Sequence, residues 1–185
     1  MEAKWAELET SELRRLAGLY YLEQYLFEIV SDRFAEEQTL TPYDFFAIIV
    51  WKSNRSKMNV RDGLLAAGKS PADVMADVVA ADTPRGKIET LLQIRGIGAP
   101  IASAILTVCY PDEFTVLDDR VWRTLKQARV DGLPDYSPSS PEDYIRYCQV
   151  CRRLAAERGM SLRDLDRALW AKSWEDDLRR LIDGI

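Results

Sequence analysis

The segment Ile94-Arg95-Gly96-Ile97-Gly98-Ala99-Pro100-Ile101-Ala102 places two glycines one residue apart between two aliphatic helical stretches. Glycine accepts positive φ and lets another backbone approach closely, so the pair demands a tight turn. Ile97, between them, is placed to plug the apolar groove of the two helices. A chain with such a corner is built by packing helices, and the rest of the sequence agrees. Nearly every long segment has a helical period, and alternating β-branched runs are nearly absent. The expected fold class is all-α, with short connections and no internal repeat.

Helix starts are the most legible local feature. Thr41-Pro42, Ser70-Pro71 and Thr83-Pro84 each join an N-cap hydroxyl to a proline suited to the first helical turn. The helix after Thr41 is apolar nearly all round from Tyr43 to Trp51 and is expected to be central. The other two pairs predict short helices over 72–80 and 85–93. A first helix over 11–34 should bury Leu13, Leu16, Leu19, Tyr20 and Leu26. Further helices are expected over 99–109, from Asp118 or Asp119 to 128, over 142–157 and over 161–182, with a loop at 131–141. Core packing is the expected role of Tyr20, Tyr21, Tyr25, Trp170 and Trp174.

With 185 residues, the chain suffices for one domain or two small lobes sharing a core. No apolar run approaches the roughly 20 residues that span a bilayer. Met1-Glu2-Ala3-Lys4-Trp5 lacks the apolar core of a signal peptide, so a cytoplasmic protein is expected. There is no histidine, which excludes Ser-His-Asp catalysis and histidine acid–base chemistry. Three cysteines do not suggest a disulfide framework. Cys148 and Cys151 cannot complete a structural zinc site alone and are expected to be buried small hydrophobes. Although the net charge is -5, Lys52, Arg55, Lys57 and Arg61 form an acid-free run, which suggests one basic face on an acidic body.

Two motifs carry the chemistry. The amides just past the turn belong to a helix start and are expected to be unpaired, which makes an anion site. A nucleotide-binding glycine loop would follow a strand, whereas this turn follows a helix. About twenty residues later, Leu117-Asp118-Asp119-Arg120 puts a carboxylate at the next helix start. There, amide hydrogen bonds and the helix dipole keep it ionised. A fixed carboxylate in such a place stabilises positive charge that develops beside it. It can also orient or deprotonate the attacking water. Asp119, adjacent, leaves the register open by one residue.

In this order and spacing, the two motifs resemble those of the helix–hairpin–helix base-excision DNA glycosylase superfamily, which includes endonuclease III and the adenine and alkyladenine glycosylases. The family hairpin reads Leu-Pro-Gly-Val-Gly-x-x-Thr-Ala, and its aspartate motif reads Val-Asp-x-x-Val/Ile-x-Arg. The latter corresponds here to Leu117-Asp118-Asp119-Arg120-Val121-Trp122-Arg123. The resemblance implies two lobes, residues 30–117 with the hairpin at about 87–109 and residues 1–29 plus 118–185, with the active site in the cleft between them. Asp118 would be catalytic. Gly96, Gly98, Ala99 and Ile101, together with Lys52, Arg55 and Lys57, would bind DNA. Trp51, Lys52, Ser53 and Asn54 would line the base pocket or plug the gap left by the flipped base. The carbonyls of Leu92, Ile94 and Ile97 would hold a structural K+ or Na+.

Three departures refine the expectation. Bifunctional members carry a lysine nucleophile where this chain has Pro100, which implies a monofunctional enzyme without lyase activity. The four-cysteine pattern of the iron–sulfur members is missing, so no cluster is expected. Arg120 replaces the histidine often found two residues after the aspartate. The resemblance extends to cluster-free bacterial enzymes that restrict phages, which implies excision of bulky modified cytosines such as glucosylated hydroxymethylcytosine. Alternatives are a repair enzyme for oxidised, alkylated or mismatched purines, and a non-catalytic helix–hairpin–helix DNA-binding protein. The partner expected is double-stranded DNA, bound by a monomer with no membrane association.

Overall fold

Each hydroxyl–proline pair opens a helix. The computed structural model describes residues 9–137 and 140–184; residues 1–5, on which the absence of a signal peptide was read, lie outside them. In α4 (Pro42–Ser53) the Thr41 hydroxyl accepts from the Asp44 amide at 3.1 Å. A reciprocal box between Ser70 and Asp73 starts α6 (Pro71–Ala80). Thr83 accepts from the Gly86 amide at 3.0 Å to start α7 (Pro84–Leu92). Next come α8 (Ala99–Cys109), α9 (Asp119–Gln127), α10 (Pro141–Glu157) and α11 (Leu162–Ile182). Ser140 and Ser161 cap the last two. The protein is all-α, with no strand among the described residues, and no described helix is long and apolar enough to cross a membrane.

The first expected helix is broken. It divides into α1 (Thr10–Leu19), α2 (Leu22–Tyr25), a π turn at Leu26–Val30 and α3 (Ser31–Glu37). Tyr21 leaves the helical region at φ -88° and ψ 59°, and this bend turns α1 away from the core. Leu13, Leu16 and Tyr20 are therefore exposed and Leu19 is half-buried, whereas Leu26 is fully buried. Tyr21, Trp170 and Trp174 are also exposed rather than core residues. The central helix is α8, not α4. Every α8 residue except Pro100 is buried, while α4 turns Tyr43 and Val50 to the surface. Small side chains let α8 take neighbours on all sides, and it contacts α3, α4, α7 and the π turn.

An unanticipated helix, α5 (Lys57–Ala67), follows a 3-10 turn at Asn54–Ser56. It has no side-chain N-cap, so the sequence signal for its start is missing. It nevertheless fixes the hairpin between α7 and α8. A Cβ on Gly63 of α5 would lie 1.8 Å from the Arg95 carbonyl oxygen. A Cβ on Gly96, where φ is 92°, would lie 2.6 Å from the Asn59 carbonyl carbon. Helix and turn thus meet backbone to backbone, and Ile97 is buried beneath the turn. Gly98 differs: its φ is -91°, and an added Cβ would meet only the Pro100 ring at 3.8 Å.

Candidate active site

The strand-like stretch before α9 is held down from two sides. The Ser103 hydroxyl of α8 accepts from the Leu117 amide at 2.9 Å and donates to the Pro100 carbonyl at 2.8 Å. From α10, the Tyr144 and Tyr147 hydroxyls donate to the carbonyls of Thr115 at 3.1 Å and Val116 at 3.2 Å. Both tyrosines are buried, and burial pushes their ionisation well above the usual phenol range. They act here as neutral donors. With its backbone fixed in this way, Asp118 has a defined position before its side chain makes any contact.

Asp118 is the N-cap of α9 and accepts from the Arg120 amide at 2.9 Å. Its Oδ2 accepts from Lys52 Nζ at 2.8 Å, the two side chains being 27% and 13% exposed. Burial by itself would raise the Asp118 pKa. The Lys52 charge and hydrogen bond, then the Arg120 amide, outweigh it and hold the carboxyl below its ordinary range. Asp119 points elsewhere: it is exposed and pairs with Arg123 at 2.9 Å. Of the two adjacent aspartates, Asp118 is the one that lines the cleft.

That cleft has a volume of about 340 Å³. One wall comes from α4 through Trp51 and Lys52, and Val116 and Asp118 lie beside it. The other is α11, through Arg163, Asp166, Arg167 and Trp170, with Glu23 from α2 at the edge. Arg163 lies over Phe27 at 4.7 Å and over Trp51 at 5.2 Å. It pairs with Asp166 on its own helix and with Glu23 at 2.9 Å, while Arg167 reaches Glu23 at 2.6 Å. Burial raises the Asp166 pKa to about 6, against the pull of Arg163 and Lys52, with Asp118 and Glu23 adding to the rise. Asp118 and Asp166, with opposite displacements, therefore face one space.

The α11 wall was not read from the sequence. Arg163 and Asp166 are three apart on one helix, a legible pair, but nothing local ties them to Glu23 or to the cleft. Trp170, expected from the sequence to pack in the core, is instead exposed and lines the cleft, where Arg120 lies 5.9 Å from its ring. Cys148 and Cys151 are free and buried, as expected of small hydrophobes.

The remaining predicted residues divide into two groups. Ser53 is half-buried, with its hydroxyl 2.9 Å from that of Ser56, and Asn54 accepts from Lys57 at 2.7 Å. Neither lines the cleft with Trp51 and Lys52. Arg55 and Lys57 are exposed on the 3-10 turn and the start of α5. In the hairpin, the Ile101 amide is already spent on the Gly98 carbonyl at 3.0 Å, because the first turn of α8 closes early behind Pro100. The amides of Gly96, Gly98 and Ala99 have no partner among the described residues. The Ile94 carbonyl accepts from the Ile97 amide at 3.0 Å, while those of Leu92 and Ile97 accept nothing there. Two of the three carbonyl oxygens are thus free of hydrogen bonds among the described residues.

A carboxylate kept ionised beside aromatic faces can stabilise a cationic sugar and direct water onto it. Compared with known proteins, the chain matches no family model, no curated protein and no solved structure.

Proposed function

We propose that this protein is a DNA N-glycosylase of the helix–hairpin–helix type, which flips a base into the cleft and hydrolyses its N-glycosidic bond. The observation that carries the reading is Asp118, an N-cap carboxylate held ionised in a tryptophan-lined cleft and strapped through Ser103 to the hairpin helix. The free amides of Gly96, Gly98 and Ala99 would grip a phosphate, with Arg95 in the same turn and Arg55 and Lys57 exposed on the 3-10 turn and the start of α5 as further basic contacts. In this reading the basic patch, not the net charge, meets the DNA. Trp51 and Trp170 would stack on the extruded base. The two lobes are residues 30–117 and the paired ends of the chain. A K+ or Na+ on the carbonyls of Leu92, Ile94 and Ile97 would stiffen the turn. Since Pro100 occupies the hairpin position of the lysine nucleophile, the hairpin adds no strand-cutting step. The substrate class we propose is a bulky modified cytosine such as glucosylated hydroxymethylcytosine, as in phage defence, and the cleft of about 340 Å³ is compatible with it without selecting it over a purine.

The test is abasic-site release from duplexes carrying glucosylated hydroxymethylcytosine, oxidised purines, alkylated purines or mismatches. Asp118→Asn should lower the rate by at least about 100-fold. A base-independent check uses a duplex with a cationic pyrrolidine in place of the deoxyribose. The wild type should prefer it to the neutral tetrahydrofuran analogue, and Asp118→Asn should lose that preference. If no duplex releases a base, and wild type and Asp118→Asn bind both analogues equally, the chain is a non-catalytic DNA-binding protein.

A further inference from the structure

We propose that Lys52 is an amine nucleophile, and that the same cleft forms a Schiff base with abasic deoxyribose and breaks the strand on its 3′ side. This rests on the preceding reading in taking DNA as the partner and Asp118 as the carboxylate at the sugar. The sequence expectation of no lyase activity came from Pro100 in the hairpin. The amine here comes instead from the last turn of α4, which lines the cleft.

Three observations support it. Lys52 Nζ lies 2.8 Å from Asp118 Oδ2, and an amine can attack only after passing its proton to such an acceptor. Its side chain is 13% exposed, between the aromatic ring of Trp51 and the charges of α11. Among the described residues, no other lysine lines this cleft. Among the described lysines, Lys57 is bonded to Asn54, Lys69 to Asp77, Lys87 to the Val78 carbonyl and Lys172 to Asp176, and Lys126 lies over Trp122.

The chemistry balances without a co-reactant. The Lys52 ammonium gives a proton to Asp118, and the free amine attacks C1′ of the ring-opened aldehyde, forming a C–N bond. The Asp118 proton leaves with the C1′ hydroxyl as water, which yields the protonated imine and restores the carboxylate. Asp118 then removes a C2′ proton, the electron pair forms the C2′–C3′ double bond, and the C3′–O bond breaks to release the phosphate. Asp118 passes that proton to the released phosphate, and water hydrolyses the imine, leaving an unsaturated aldehyde, the Lys52 ammonium and the Asp118 carboxylate.

The experiment needs no knowledge of the excised base. A duplex with a single abasic site is incubated with the full chain and sodium borohydride, which reduces the imine to a stable amine. The expected result is a covalent adduct that peptide mass mapping places on Lys52. Without borohydride, strand cleavage on the 3′ side should follow, slowed about 100-fold in Asp118→Asn. Lys52→Arg retains the cation beside Asp118 and should give no adduct while melting like the wild type, whereas a merely structural lysine would leave trapping intact in that variant. An adduct on another residue, or equal trapping by Lys52→Arg, overturns the proposal. Absence of trapping, together with Asp118-dependent preference for the pyrrolidine duplex, overturns it and leaves base removal standing. Absence of both overturns the two readings together.

Discussion

Single atoms separate residues that hold this fold from residues that the fold leaves free. Gly63 and Gly96 lie in backbone contact, and Gly98 does not. Gly63→Ala and Gly96→Ala should each cost about 3 kcal/mol through overpacking, with unfavourable positive φ added at Gly96. Gly98→Ala should melt within about 0.5 kcal/mol of wild type, and denaturant titration of the three variants checks the contrast. Asp44 offers a second test. It is fully buried, accepts from the Tyr25 hydroxyl at 2.6 Å and the Thr41 hydroxyl at 2.5 Å, and pairs with Arg33. Asp44→Ala leaves three donors unanswered and should cost about 3 kcal/mol. Asp166 should titrate near 6 by carboxyl NMR, with Asp118 still ionised below the ordinary range.

The elements that were legible in sequence are those whose signal is local. An N-cap hydroxyl followed by proline specifies its own helix, so α4, α6 and α7 start where Thr41, Ser70 and Thr83 place them. Asp118 was legible for the same reason, as a cap. What was missed depends on distant chain. Helix α5 has no cap, and Gly63 weakens its propensity; its reason to exist is the hairpin backbone that it touches. The cleft wall of α11 needs Glu23, which lies far away in sequence, and the exposure of Trp170 follows from the opening beside it. The strap under Asp118 likewise joins α8 and α10 to a segment with no motif of its own. Ser103→Ala strands the buried Leu117 amide and should cost about 1–3 kcal/mol. Under the proposed function it should also slow base removal more than Tyr147→Phe, because its partner is adjacent to Asp118.

For the whole molecule, Asp118 and Asp166 pull stability in opposite directions with pH. Asp166 has its pKa raised by the fold, so its contribution is fully present below 3.8 and is lost as pH rises through about 6. Asp118 has its pKa lowered, so its contribution is present above 3.8 and is lost as pH falls through its native value. The stability of wild type minus that of Asp166→Asn should therefore fall as pH rises through about 6, as read by melting at several pH values. Under the proposed function, DNA binding should follow the basic patch rather than the net charge. Arg95→Ala should reduce the slope of log affinity against log salt by about 0.9, for every sequence alike.

Helix α8 begins at Gly98, is buried along nearly its whole length, and holds Leu117 through Ser103. The hairpin end and the carboxylate are thus two marks on one rigid gauge. If a phosphate seats at the hairpin, its separation from Asp118 is set by covalent geometry and one hydrogen bond, and the protein cannot lengthen it to suit the ligand. The burden of adjustment then falls on the DNA. A duplex that unstacks and bends easily brings its sugar to the second mark at low cost, and a stiff one does not. Discrimination in such a molecule would begin with the mechanics of the duplex, before any edge of the base is read.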